Sequence, residues 1–146
     1  MTLIKFISAE DTLPIRNEIL RNGKLSLDEC RFTGDVDEGS FNLGLFVEGK
    51  LVSIVSFHKR NHVDYYGKGY QLLGMATLNE HRGKGYGNKL INFAVVFLKR
   101  QKVEYVWCNA RKITYHFYFR LNFKFISDEH EIPGVGPHRN MFLKIQ

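Results

Sequence analysis

Apolar and polar residues alternate over residues 2–8, TLIKFIS, and a period of two predicts a first strand. The period lengthens in DTLPIRNEILRNGK, which predicts a helix. Asp11 or Thr12 can cap it, Pro14 fits its first turn and Gly23 stops it. Residues 24–40 are polar and acidic and predict a loop, with room for a short helix near LDECR. FNLGLFV and LVSIVSF flank the turn EGK and predict an antiparallel hairpin. A polar connection, HKRNHVDYYGKG, leads to YQLLGMATL, a largely apolar third strand in which Gly74 marks a bulge or a close backbone approach.

After a glycine-rich stretch, HRGKGYGNKL, the residues Leu90, Ile91, Ala94, Val95 and Leu98 recur at helical spacing, with Lys89, Lys99 and Arg100 on the solvent side. VEYVWCN predicts a strand and ARKITYHFYFRL an aromatic helix. FKFIS and RNMFLKI predict closing strands, joined by a Gly/Pro loop, DEHEIPGVGPH. The order β-α-loop-β-β-β-α-β-α-β-β describes a mixed α/β sheet with one strand–loop–helix crossover. At 146 residues the chain is expected to form one domain, residues 1–146.

Charge changes this picture more than composition does. The net charge is +6, but between residues 81 and 124 ten Lys and Arg face the single acid Glu104, so that 10 − 1 = +9. The first half holds most of the acids. A basic second half suits either a solvated surface or an anionic ligand. The two cysteines, Cys30 and Cys108, suggest neither a disulfide framework nor a metal cluster, and a reducing cytoplasm is the expected compartment. Lys5, Glu10 and Asp11 interrupt any apolar leader, and INFAVVFL is too short to span a bilayer, so no membrane association is expected.

The glycine stretch allows two readings. KGYG matches the first half of an RNA-reading strand, but Asn88, Lys89, Leu90 and Ile91 follow where Phe-Val is required, and the period turns helical. Nucleic acid is therefore not an expected partner. A phosphate cradle needs a strand before the glycines and a helix after them, and both are predicted here. Unpaired amides at a helix start converge with partial positive charge, glycine allows close approach, and Arg82 and Lys84 add charge-assisted contacts. The dinucleotide fingerprint is absent. GLFVEGKL has the glycine and lysine spacing of a P-loop, but Leu51 stands where Ser or Thr would hold magnesium, and Lys50 reads as a turn residue.

The stretch R-G-K-G-Y-G after LLGMATLNEH fits the Arg/Gln-x-x-Gly-x-Gly/Ala signature of the GNAT acetyltransferases, and the segment from Ala110 to Phe123 resembles their A-x-x-F-Y-x-x-x-G-F. EIPGVGPH is similar to a loop in a subgroup of small members. The resemblance implies a mixed, mostly antiparallel central sheet flanked by helices, with a splayed strand pair that binds acyl-CoA. It implies an N-acetyltransferase that moves the acetyl group of acetyl-CoA to a primary amine of a small molecule or protein. Met75, Ala76, Thr77 and Leu78 would pair with the pantetheine arm. Arg82, Gly83, Lys84, Gly85, Tyr86, Gly87 and Asn88 would form the loop that holds the pyrophosphate.

Tyr118 is the implied acid for the departing thiolate, the alternative being one more packing aromatic. His138, in the EIPGVGPH loop, is the candidate base or proton relay, the alternative being a turn histidine. His58 and Glu80 are further base candidates, each also readable as a surface or loop residue. Arg111 replaces an Asn that orients CoA in many relatives, and could reach a CoA phosphate or a substrate acid. Asn122 replaces a Gly, and Asn tolerates the left-handed backbone required there. The scattered histidines show no metal spacing, and no metal is expected. A homodimer is left open. A CoA-binding protein without turnover and a nucleic-acid-binding protein remain the alternative functions.

Overall fold

The structure is a computed structural model that describes residues 1–145. Those residues form a mixed α/β fold with an eight-stranded, mostly antiparallel sheet and three α-helices. The chain divides into two compact units, one of Met1–Lys59 with Leu72–Phe97, the other of Arg60–Gln71 with Leu98 onward.

In the first unit, β1 (Thr2–Ile7), β2 (Phe41–Val47) and β3 (Lys50–His58) are joined in antiparallel ladders, and β3 neighbours β4 (Gly69–Thr77). The predicted hairpin turns at Glu48 and Gly49, both at positive φ (47° and 81°), and β3 is buried from Val52 to His58. Helix α1 (Ala9–Ile15) starts one turn earlier than expected. Ser8 is its cap, and Asp11 is the reciprocal partner of a capping box instead of the cap itself. The helix then widens into a π-turn, Arg16–Leu20, and Gly23 ends it at φ 72°.

The loop 24–40 contains two 3₁₀ turns, Asp28–Cys30 and Thr33–Val36. Helix α2 (Tyr86–Arg100) buries Leu90, Ile91, Ala94 and Leu98, while Val95 is half-buried. Each buried Leu or Ile contributes about 1.5–3 kcal/mol through lost apolar exposure. Lys89, Lys99 and Arg100 stay on the wet side, as the period requires.

In the second unit, Gly69–Gln71 at the start of β4 pair in parallel with Tyr105–Trp107 of β5 (Tyr105–Arg111). Among the described residues that ladder ends at Gln71 and Trp107. β5 pairs antiparallel with β8 (Gly136–Lys144) over its whole length. Between them lie α3 (Tyr115–Arg120), β6 (Lys124–Phe125) and β7 (His130–Ile132). The predicted aromatic helix is shorter than expected, because Ala110 and Arg111 close β5 and Lys112–Thr114 form a 3₁₀ turn. Asn122 ends this segment at φ 72°, the left-handed backbone that replaced a glycine.

The expected Gly/Pro loop 128–138 is a hairpin. β7 pairs with Gly136–His138 of β8 around a turn in which Val135 donates its amide to Ile132 at 3.0 Å and Gly134 takes φ 77°. β7 and the first residues of β8 are mostly polar, so no apolar alternation announced this hairpin, whereas the later part of β8 is the predicted strand RNMFLKI. His138 is therefore a strand residue, with its backbone fixed by pairing.

The connection 60–68 is pinned to this unit by His62. Its Nε2 meets Asn140 Oδ1 at 2.8 Å, its Nδ1 accepts the amide of Asp64, and its amide donates to the Tyr105 hydroxyl at 3.1 Å. The Trp107 indole donates to the carbonyl of Arg60 at 2.8 Å.

Candidate active site

In the first unit, β4 leads through a 3₁₀ turn, Asn79–His81, into the glycine stretch and then α2. Gly83 and Gly85 take φ 75° and 79°, which L side chains rarely adopt, and a Cβ at either position meets no atom within 4 Å. The backbone there borders open space. The expected loop 82–88 is shorter than predicted: Tyr86, Gly87 and Asn88 already form the first turn of α2. Their amides precede the donor of the bond from Lys89 to Gly85 (3.1 Å), so they have no intrahelical acceptor. Arg82 and Lys84 are exposed, with no acid in ion-pair reach among the described residues.

The preceding strand sets which backbone groups can meet a ligand. Leu78 donates its amide to Val52 at 2.9 Å, and its carbonyl accepts from His81 at 2.9 Å. Both its backbone groups are occupied. Thr77 and Ser53 join hydroxyls at 2.7 Å, which puts them opposite each other. The alternation of an antiparallel ladder then turns Ala76 and Leu78 toward β3, and Met75 and Thr77 toward the other edge. Gly74, at φ 65°, kinks β4 just before Met75.

A charged network lies beneath this kink. Arg16 and Asp35 are 1% and 5% exposed and meet in a two-pronged pair at 2.7 and 3.0 Å. Arg16 also donates to the carbonyl of Cys30 and the hydroxyl of Ser56, which donates to Asn42. Phe32 covers the guanidinium at 3.8 Å and lies where a Cβ on Gly74 would be, 2.8 Å from it. His58 is the other partner of Asp35, through Nε2 at 3.1 Å.

His58 was a candidate surface base. It is buried, its Nε2 serves Asp35, and its Nδ1 has no partner and abuts Gly34, where a Cβ would come within 2.5 Å. Neither nitrogen is open to a ligand. Glu80 is exposed and pairs loosely with Lys50 at 3.7 Å.

In the second unit, Tyr118 of α3 is buried against Phe117 and Phe123. Its hydroxyl has no hydrogen-bond partner among the described residues. Burial, then neighbouring Cys108, push its ionisation well above the ordinary tyrosine value, with Arg111 opposing. The phenol keeps its proton and is close enough to Arg111 to sense its charge. Arg111 stands opposite His138 across β5 and β8. His138 is buried and its Nδ1 lies 2.9 Å from the carbonyl of Gly136. A carbonyl only accepts, so Nδ1 carries a proton, and in the neutral ring Nε2 presents the lone pair.

Among the described residues no group of three or more His, Cys, Asp or Glu is placed to hold a metal ion. The second unit thus holds Arg111, Tyr118 and His138, with Arg111 opposite His138 and near enough to Tyr118 to act on its ionisation, and the first holds the glycine turn. Sequence reasoning missed the Arg16–Asp35–His58 network and the His62 anchor. The available signal was polar residues inside apolar runs: Arg16 in a helical pattern, and Ser53, Ser56 and His58 in β3.

Residues 10–123 match the model of the Acetyltransferase (GNAT) family. The uncharacterized N-acetyltransferase YitI of Bacillus subtilis (strain 168) is 40% identical, over 100% of this chain and 98% of its own. The fold is similar to that of FeeM, an N-acyl amino acid synthase from uncultured soil microbes (TM-score 0.80, 12% identity, 99% of this chain and 90% of that one). It is also similar to an aminoglycoside 6'-N-acetyltransferase complexed with coenzyme A (TM-score 0.76, 12% identity, 99% and 97% covered).

Proposed function

The chain belongs to the acetyltransferase (GNAT) family and is an N-acyltransferase, and from that premise we propose that it transfers the acetyl group of acetyl-CoA to a primary amine of a small molecule or protein. The observation that carries the cosubstrate is the glycine turn: unused first-turn amides of α2, two positive-φ glycines bordering open space, and the unpaired cations Arg82 and Lys84. A helix N-terminus so arranged suits a pyrophosphate. Gly83, Lys84, Gly85, Tyr86, Gly87 and Asn88 would hold it through backbone amides, with Arg82 adding charge. Met75 and Thr77 would offer the pantetheine arm their outward backbone groups, with Ala76 between them. Leu78 drops out of that role, since its amide and carbonyl are occupied.

Acetyl-CoA supplies the thioester. The protein's own groups manage protons. An alkylammonium with a pKa of about 10.4 must lose one before it attacks, and the Nε2 lone pair of His138 can take it. The amine nitrogen bonds to the acetyl carbon, the carbon–sulfur bond breaks, and the sulfur takes the proton of Tyr118. The second amine proton returns to the phenol, so the cycle releases one proton. Residues 1–146 would act as one catalytic domain. No helix among the described residues is long and apolar enough to cross a membrane, and a cytoplasmic site of action is part of the proposal.

The test is calorimetric titration with acetyl-CoA, followed by thiol release across an amine panel. Saturable binding and amine-dependent thiol release are expected. A folded protein that binds no acetyl-CoA and releases no thiol with any amine would sink the reading.

A further inference from the structure

Arg111 and His138 are opposed on β5 and β8, and His138 is opposed in turn to His130 on β7. Opposed residues of antiparallel strands share a face. The rings of His130 and His138, 6.2 Å apart, do so here. The next pair on this face is Asn109 and Asn140, joined by a 3.2 Å side-chain hydrogen bond. Beyond it the face is closed: His62 packs on Trp107 and Tyr65 stacks on Phe142. Among the described residues, no hydrogen bond or ring contact of the connection 60–68 reaches Arg111, which is half-buried, or His138, which is buried.

Among the described residues, the end of this face that bears Arg111 and His138 holds a permanent cation and no acid. Strand alternation sends Glu131 and Arg139 to the opposite face. Glu129, just before β7, is engaged by the Tyr115 hydroxyl at 3.2 Å and by Lys112 at 3.9 Å. The half-buried Arg111 side chain makes no hydrogen bond or ion pair among the described residues. Beside it, His138 shows the lone pair of Nε2. A planar, unpaired five-donor cation is thus set next to an unpaired base.

We infer that the acceptor is an α-amino acid or a close analogue, its carboxylate held by Arg111 and its ammonium facing Nε2 of His138. The inference rests on the acyl-transfer reading above. Opposed α-carbons in an antiparallel pair are about 4.5–5.5 Å apart, so guanidinium and imidazole start from adjacent positions on one face. An α-amino acid carries carboxylate and ammonium on one carbon and matches that pairing. Guanidinium takes carboxylate through two parallel bonds. A polyamine would instead set ammonium against guanidinium. Deprotonated by His138, the amino nitrogen bonds to the acetyl carbon as the carbon–sulfur bond breaks, giving an N-acetyl amino acid and free thiol.

The common L-amino acids and their C-terminal amides, assayed by thiol release, test the assignment. Free acids should exceed their amides at least 10-fold in kcat/KM. Arg111→Gln should raise KM for the acids at least 10-fold and leave the amides and the Kd of acetyl-CoA unchanged, and Arg111→Lys should recover part of the loss. Equal use of acids and amides overturns the inference. So does an Arg111→Gln variant that loses acetyl-CoA affinity instead, which assigns Arg111 to a phosphate of the cosubstrate. N-acetyl-L-amino acids and their amides are also titrated calorimetrically into protein with and without CoA, which reads the site even if no amine turns over. Tighter binding of the acids, lost in Arg111→Gln, supports the carboxylate site. No acid preference in either condition overturns it. Failure of CoA itself to bind counts only against the cosubstrate.

Discussion

Asp35 grips the guanidinium of Arg16 with both carboxylate oxygens, at 2.7 and 3.0 Å, where neither side chain is more than 5% exposed. This pair ties the π-turn that follows α1 to the loop 24–40, and through Phe32 it backs the kink of β4 at Gly74. Burial alone would raise the ionisation of Asp35. The hydrogen bonds from Arg16 and the Phe32 amide, the charge of Arg16 and the bond from His58 outweigh it, and the net shift is downward.

Asp35→Asn leaves a buried guanidinium uncompensated and should destabilise the fold by about 3–5 kcal/mol, read as a lower urea midpoint. A folded-state ionisation below the unfolded value of about 3.9 contributes stability above that pH, and the contribution fades as pH falls through the folded value. The parent should therefore lose stability on acidification below about pH 4, and the gap to Asp35→Asn should narrow there. A constant gap across pH would mean that the charge of Asp35 does not matter.

Nothing in the local sequence announced this pair. Arg16 and Asp35 are 19 residues apart and His58 lies a further 23 along, so only the fold makes them neighbours. By contrast, β2, β3 and α2 were legible because each buries one face or both, and burial writes itself as period or run. β7 was not legible, since His130 and Glu131 are exposed and its pairing comes from backbone bonds that any residue can make. Of the candidate site, the glycine turn could be read from spacing, because its geometry is local backbone. Tyr118 and Arg111 came from the family resemblance, and His138 from that resemblance together with the constrained Gly/Pro loop that carries it.

Gly85 tests the cosubstrate site. At φ 79° any other residue pays strain, about 1–2 kcal/mol, but a Cβ there meets no protein atom. Gly85→Ala should therefore melt only slightly earlier than the parent, and Gly85→Val somewhat earlier still. Their acetyl-CoA affinity should fall 10-fold or more, because the added carbons occupy the open side that a pyrophosphate approaches. Calorimetry on folded variants decides, and an unchanged Kd removes the turn from the site.

Tyr118 tests the acid. Tyr118→Phe removes a hydroxyl that has no partner among the described residues, so stability and acetyl-CoA binding should hold. A positioned proton donor contributes about 10²–10⁴-fold, and kcat should drop within that range. Because burial and Cys108 raise its ionisation well above the ordinary value near 10, the phenol should not lose its proton as pH rises to 10. An alkaline fall in kcat below that pH must come from another group. Equal kcat for Tyr118→Phe and the parent would make Tyr118 a packing residue.

His138 tests the base, and its geometry chooses the variant. Nδ1 is committed to the carbonyl of Gly136 at 2.9 Å, while Nε2 is the nitrogen left for chemistry. Asn places an amide N–H near the position of Nδ1 and nothing at Nε2. His138→Asn should keep the strand bond and the fold, and should leave the acetyl-CoA Kd unchanged. Gln instead reaches the Nε2 position with an amide that cannot accept a proton, and should restore shape without restoring rate. Both variants should lower kcat/KM by about 10²-fold or more, the loss of a general base. A substrate added as its free amine, at a pH where most ammonium is already deprotonated, should narrow the gap between variants and parent. If His138→Asn folds and turns over at the parental rate, His138 only braces the β7–β8 hairpin, and the proton leaves by another route.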